Sequence, residues 1–240
     1  MQIKNKSDIK QLGKIMGVWA HPDDETFSSC GIMASAISNG QEVICVTATK
    51  GEKGVQDELR WPANRLAQIR EAEQEAVLKI TGAKNYHWLN FRDGHCKDFD
   101  DEGTEHIVKL IEKYRPDTIL TFGGDGFTGH EDHIAMNRWV NFALKLTSYQ
   151  PAVYNVVCTE GQYKNYLQAL DKKLDIFFNL GEPKLINELD CDINFKLSPE
   201  LSELKYQAIL AMPSQTLGMT QLFDKKTLIS AYSTEAFKKQ

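Results

Sequence analysis

Short apolar runs alternate with amphipathic stretches through the first two thirds of the chain. Ile15–Trp19 is continuously apolar, which predicts a buried β-strand. Phe27 to Ser38 carries small and apolar residues at helical spacing and stops at Asn39-Gly40. Val43–Ala48, rich in β-branched residues, predicts a second strand, and a long charged helix follows from Asn64 to Ile80, ending at Thr81-Gly82. The same reading gives a strand at Tyr86–Leu89, a helix at Thr104–Tyr114 stopped by Pro116, and a strand at Thr118–Phe122. A helix at Ile134–Leu146 and a strand at Val153–Cys158 complete the regular part. Strand-helix alternation of this kind predicts an α/β fold, a mostly parallel sheet flanked by helices with right-handed crossovers. The last third is less regular: a short strand is expected at Ile176–Phe178 and a helix at Leu201–Met212. With no repeat, low-complexity tract or linker, residues 1–240 read as one domain, in which 14–147 is the regular body and 148–240 a substrate-side portion.

Composition removes several function classes. A net charge of -5 offers no basic stripe for nucleic acid. No apolar run approaches the roughly twenty residues a transmembrane helix needs. The polar start, Met1 to Lys6, has no signal-peptide core, so a cytoplasmic location is the expectation. Five scattered cysteines, with no C-x-x-C pair among them, predict reduced thiols and neither a disulfide framework nor a thiolate zinc site. Nothing in the sequence fixes the number of subunits, and a homo-oligomer is left open.

Two polar clusters carry the chemistry. Ala20-His21-Pro22-Asp23-Asp24-Glu25 follows the first strand, and Gly129-His130-Glu131-Asp132-His133 follows the fourth. In open α/β sheets ligands bind at the carboxyl ends of strands, where both clusters should lie. His21 and Asp24 are three apart on a turn that Pro22 stiffens, so both can face one ion. Asp23 then stays free to act as general base toward a water whose pKa the metal has lowered. His130 and His133 are three apart at a helix start, so one can complete a three-ligand catalytic site and the other can serve an oxyanion or a leaving nitrogen. Asp132, between them, could hold an imidazole in its cationic form. The bland reading of Asp23-Asp24 is a helix cap; His21 in front and the second cluster downstream outweigh it.

Together these residues resemble the PIG-L/LmbE-like family of zinc-dependent de-N-acetylases. The family's A-H-P-D-D-E signature stands intact at Ala20–Glu25, and its H-x-D-H signature at His130–His133, with Glu131 where proline is common. Thr47–Glu52 looks like its T-x-G-E loop, Arg70–Glu73 like its R-x-x-E helix start, and Asp93-Gly94 like its P-D-G turn with Arg92 in place of proline. The resemblance implies a Rossmann-like α/β fold and removal of an acetyl or other acyl group from an N-acetylglucosamine-type amino-sugar derivative. It implies His21, Asp24 and His133 as ligands of Zn2+ (another divalent metal would serve), Asp23 as general base, and a protonated His130 as oxyanion donor or general acid tuned by Asp132. It also implies Arg70 and Asp93 as substrate contacts. Phe127, between glycines beside the second cluster, is the aromatic best placed to stack on a sugar.

One departure stands out. The family's C-terminal A-x-x-x-H-x-S-Q pattern survives as Pro213-Ser214-Gln215, but Met212 occupies the histidine position, and a thioether neither donates a hydrogen bond nor carries charge. A family member that binds a glycan without cleaving it, or cleaves a different N-acyl amide, is the alternative this leaves. A phosphoacceptor receiver-like module is more remote, because such a module is about half this size and gives His21 no role. A dinucleotide enzyme is disfavoured because a carboxylate pair, not a glycine-rich turn, follows the first strand.

Overall fold

In the computed structural model, which describes residues 3–240, the apolar runs become the centre of one seven-stranded sheet. Strands β1 (Ile15–Trp19), β2 (Val43–Thr49), β3 (Asn85–Phe91), β4 (Thr118–Phe122) and β5 (Ala152–Val156) are parallel to their neighbours in the order β3-β2-β1-β4-β5. β1, β2 and β4 are buried along their whole length. Strands covered on both faces have no polar side to present, which explains their continuous apolar sequence.

The crossover helices form two layers. α1 (Asp24–Ser38) and α2 (Ala63–Thr81) lie on one face, and α3 (Asp100–Tyr114) packs against α5 (Glu131–Leu146) on the other. A four-residue turn of helix, α4 (Gly126–Gly129), precedes α5. α1, α3 and α5 each begin three or four residues earlier than their apolar periodicity predicts. Their first turns hold Asp24 and Glu25, Asp100 to Glu102, and Glu131 and Asp132, which suit the positive end of the helix dipole but carry no apolar signal.

The last third departs further from expectation. The strand expected through Cys158 divides into β5 and a separate β6 (Cys158–Thr159), which pairs with β7 (Leu185–Ile186). Between these lie α6 (Glu160–Gln162), a π-helical turn at Tyr163–Leu167 and α7 (Gln168–Leu174). Ile176–Phe178 is a turn, not a strand, and Phe177 is buried from it by packing near Phe127 and Tyr163. β8 (Ile193–Lys196) and β9 (Thr234–Lys239) then join the main sheet antiparallel, beyond β5. Between them run α8 (Pro199–Leu210), which packs on α1 and α2, then α9 (Pro213–Leu222) and α10 (Lys225–Ala231). Among the described residues no helix is long and apolar enough to cross a membrane.

Candidate active site

Strand order reverses between β1, whose next strand lies on one side, and β4, which leads the chain to the other. The crevice at the carboxyl ends of these two strands is the switch point at which open α/β sheets bind ligands. Both polar clusters open into it. His21 to Asp24 form the turn from β1 into α1, and His130 and His133 straddle the start of α5 after β4.

Three residues converge there. His21 Nδ1 stands 3.3 Å from His133 Nε2, His133 Nε2 stands 3.3 Å from Asp24 Oδ1, and His21 Nδ1 stands 3.7 Å from Asp24 Oδ2. Donors on a tetrahedral ion with bonds of about 2.0–2.1 Å are separated by about 3.3–3.4 Å, so His133 Nε2 stands at ligand spacing from both His21 Nδ1 and Asp24 Oδ1, while the 3.7 Å approach of His21 is to the other Asp24 oxygen. The outer atoms of each residue are held by protein. His21 Nε2 lies 3.2 Å from Asp93 Oδ1 and 3.3 Å from Asp132 Oδ2, while His133 Nδ1 lies 2.9 Å from the Gly126 carbonyl. Asp24 Oδ2 accepts the N–H groups of Ala20 and His21 at 3.0 and 2.8 Å. These outer contacts leave His21 Nδ1, His133 Nε2 and Asp24 Oδ1 as the atoms turned toward one another, the outer support expected around a metal. His21, His130 and His133 also bring one ring nitrogen each within 4.8 Å of one another, as do His21, Asp93 and Asp132 their ligand atoms. The Asp24 set mixes carboxylate with imidazole, and His133 Nε2 lies 3.3 Å from both its partners, whereas His21 faces Asp93 and Asp132 with its other nitrogen.

Asp23 sits beside this point in an unusual conformation. Its φ of 112° is one that non-glycine residues rarely adopt, and it turns the carboxylate out of the helix-capping position. Arg70, buried on α2, donates to Asp23 Oδ2 at 3.0 Å, to the Gly51 carbonyl at 2.9 Å and to the Pro22 carbonyl. Burial pushes the Asp23 carboxyl up and the Arg70 charge pulls it back, leaving its pKa at about 7. Asp24 goes the other way: burial opposes its charge, but His133 and His21 hold it well below the carboxylate range. Burial works against the His21 cation too, yet hydrogen bonds to Asp132 and Asp93 carry it up to about 10.

His130 is brought to the site, but not as a cation. Burial, followed by the charges of His21 and His133, lowers it to about 4. Its Nδ1 accepts the Asp132 N–H at 3.1 Å, so the neutral ring carries its proton on Nε2 and is a donor. The Asp132 charge acts the other way, favouring the His130 cation, but burial and the two neighbouring histidines outweigh it. That carboxylate is fully buried, with Oδ2 near His21 Nε2, and it accepts N–H groups from Gly94 at 2.6 Å and Cys96 at 3.0 Å. It therefore fixes His21 and ties the turn after β3 to the site.

The model of the family described as PIG-L, GlcNAc-PI de-N-acetylase, matches residues 16–144, more than half of the chain. The chain belongs to the PIG-L family. A 1D-myo-inositol 2-acetamido-2-deoxy-alpha-D-glucopyranoside deacetylase of Nakamurella multipartita is 32% identical over 60% of this chain and 59% of its own. The enzyme of the same name from Corynebacterium glutamicum is 30% identical over 88% of this chain and 77% of its own. The chain spans less than two thirds of the length of the first of these relatives. In fold it resembles N,N'-diacetylchitobiose deacetylase from Pyrococcus horikoshii, with a TM-score of 0.66 at 20% identity, covering 98% of this chain and 86% of that one.

The weaker PIG-L motif matches prove to be braces. Arg70 and Asp93, expected at the substrate, are each only 4% exposed and are bonded to protein partners. Arg70 holds Asp23, and Asp93 holds His21 while its Oδ2 accepts the Lys53 N–H at 2.8 Å. Glu73 accepts both the N–H and the hydroxyl of Ser214, at 2.8 and 2.6 Å, so the R-x-x-E helix ties Asp23 to the C-terminal portion. Thr49 Oγ1 donates to the Ala20 carbonyl and Glu52 accepts the Asp93 N–H. Met212 is buried with Cys30, Val77 and Ala208, away from the crevice. All five cysteines are buried and free, as expected.

A cavity of about 360 Å³ adjoins the crevice and was not legible in the sequence. Phe127 faces it with φ 63° and lies 5.7 Å from Phe177, ring to ring, so its neighbour is an apolar wall. The cavity takes its far side from α9, which opens with the Pro213-Ser214-Gln215 remnant of the family's C-terminal pattern, and from β9, which no motif announces.

Proposed function

We propose that this protein is a metal-dependent N-deacylase that cleaves the amide of an N-acetylglucosamine-type amino-sugar derivative. The observation that carries the reading is the convergence of His21 Nδ1, Asp24 and His133 Nε2 beside Asp23. The two relatives named above, both deacetylases of a 2-acetamido-2-deoxy-glucopyranoside, support it. His21, Asp24 and His133 would hold the ion, and two imidazoles with one carboxylate favour zinc. When bound, the ion supplies a water of lowered pKa and polarises the scissile carbonyl.

The remaining steps belong to the chain. Asp23, with a pKa near neutrality and Arg70 fixing its orientation, accepts the water proton as the oxygen attacks the amide carbon. His130 presents a neutral Nε2–H to the oxygen on which negative charge develops. Asp23 then returns the proton to the nitrogen as the C–N bond breaks, so that one water and one amide become a carboxylic acid and an amine. Asp93 and Asp132 keep His21 in register, a positioning role.

Metal content of the purified protein, measured with acetate release from N-acetylglucosamine derivatives, tests the reading. We expect about one zinc per chain. Asp23→Asn should keep the metal and lose about 10²–10⁴-fold in kcat. Full activity in that variant, or no divalent ion after reconstitution, would overturn the assignment.

A further inference from the structure

The cavity beside the crevice is larger and more apolar than an acetyl group requires. Phe27, Phe122, Phe127, Phe177, Met219 and Tyr232 contribute to its wall. Phe122 reaches back to the catalytic centre, its ring stacked on His133 with centroids 3.9 Å apart. A methyl group occupies about the volume of a water molecule, about 30 Å³, and would leave most of the 360 Å³ unfilled.

The wall is poorly suited to a sugar. The Gln162 side-chain amide donates to the Ala231 and Thr234 carbonyls, and that of Gln215 to the Gly54 carbonyl. Glu235 is engaged by Lys205 and by the N–H groups of Gly31 and Ile32. Ser28, Gln56, Thr128 and Tyr232 add a few further polar groups, but the wall is mainly apolar, and sugar hydroxyls placed there would exchange water for few partners. Lys53, Arg92, His95 and Lys97 instead stand in the segments after β2 and β3, and none of them lines the cavity.

The direction of proton return decides which half of the substrate meets the cavity. Asp23 must face the departing nitrogen, so the amine half lies on its side. The cavity is lined by Asp24 and His133 but not by Asp23, Asp93 or His130. We infer that this cavity receives the acyl half of the amide, and that the preferred substrates carry an unbranched acyl chain of about six to ten carbons, an estimate from its size. This rests on the deacylase reading for the cleaved bond, but chain binding can be read separately.

Gly218 on α9 supplies the test. It lines the cavity, and a Cβ built there meets no atom within 4 Å. Gly218→Leu would fill the space from a helical position that tolerates a side chain. The zinc-loaded protein should cleave N-octanoylglucosamine with a kcat/KM at least about tenfold above that for N-acetylglucosamine, and Gly218→Leu should erase most of that ratio. Rates that fall with acyl length overturn the inference. So does a gain confined to octyl 2-acetamido-2-deoxyglucopyranoside, which would make the cavity an aglycone site. Cleavage of none of the amides sinks the deacylase reading alone, and calorimetric titration with octanoate then decides. Binding weakened at least about tenfold by Gly218→Leu sustains the chain site, and no binding to the parent protein removes it.

Discussion

Asp23 illustrates how one residue is set by its neighbours. Burial raises its pKa and Arg70 lowers it, so the two effects oppose each other around neutrality. A general base must be ionised to act, so kcat/KM should fall as the pH drops through the Asp23 titration. Arg70→Gln removes the influence that favours the charged form. The acid limb of the pH profile should then move to higher pH, with a loss of kcat at neutral pH that alkaline conditions partly restore. An acid limb that stays in place would show that another group sets it. A substrate-binding role for Arg70 predicts something different, a rise in KM with the limb unmoved. The buried geometry, with the two terminal nitrogens of the guanidinium bonded to Asp23 and to the Gly51 and Pro22 carbonyls, favours the shifted limb.

At the scale of elements, α1 follows directly on Asp23, the proposed base, and begins with Asp24, and a buried ion pair clamps its middle. Lys205 of α8 lies 2.9 Å from Glu235 of β9 and donates to the Phe27 carbonyl at 2.7 Å, while Glu235 accepts the N–H groups of Gly31 and Ile32 at 2.8 Å each. Lys205→Met leaves a buried carboxylate without its cation and should cost about 3–5 kcal/mol in denaturant unfolding, with Lys205→Met/Glu235→Gln recovering part of it. Equal losses in the single and double variants would refute the clamp. This pair was invisible in the sequence, because Lys205 and Glu235 sit in no motif and meet only through the fold. β9 was equally hidden: Thr234–Lys239 ends in two exposed lysines and shows no apolar run. β1, β2 and β4 were legible because burial on both faces leaves a continuous apolar record. In the site, His21, Asp23, Asp24, His130 and His133 were legible as short contiguous motifs. The true partner of Asp132 was not, since it depends on how the turn after β3 folds back over α5.

For the molecule as a whole, the trio joins two segments that the chain keeps far apart. His21 and Asp24 stand after β1 and His133 stands after β4, so an ion held by all three would bridge the loops on either side of the switch point. Such a bridge exists only in the folded state, because the unfolded chain has no preformed set of donors. Zinc at about a hundred times its dissociation constant should therefore stabilise the fold by about 2.7 kcal/mol. For a chain of this size that corresponds to a rise in Tm of about 5–10 °C. The two histidines also have different standing. His21 is locked by Asp93 and Asp132, whereas His133 is held mainly by the Gly126 carbonyl and by stacking on Phe122. His133→Ala should consequently abolish the zinc-dependent rise while leaving the Tm in chelator only slightly lowered. Thermal unfolding of both proteins, with zinc and with chelator, measures the difference directly. A zinc-dependent rise that survives in His133→Ala would mean that the ion is held by another set, with His21, Asp93 and Asp132 the nearest group able to provide it.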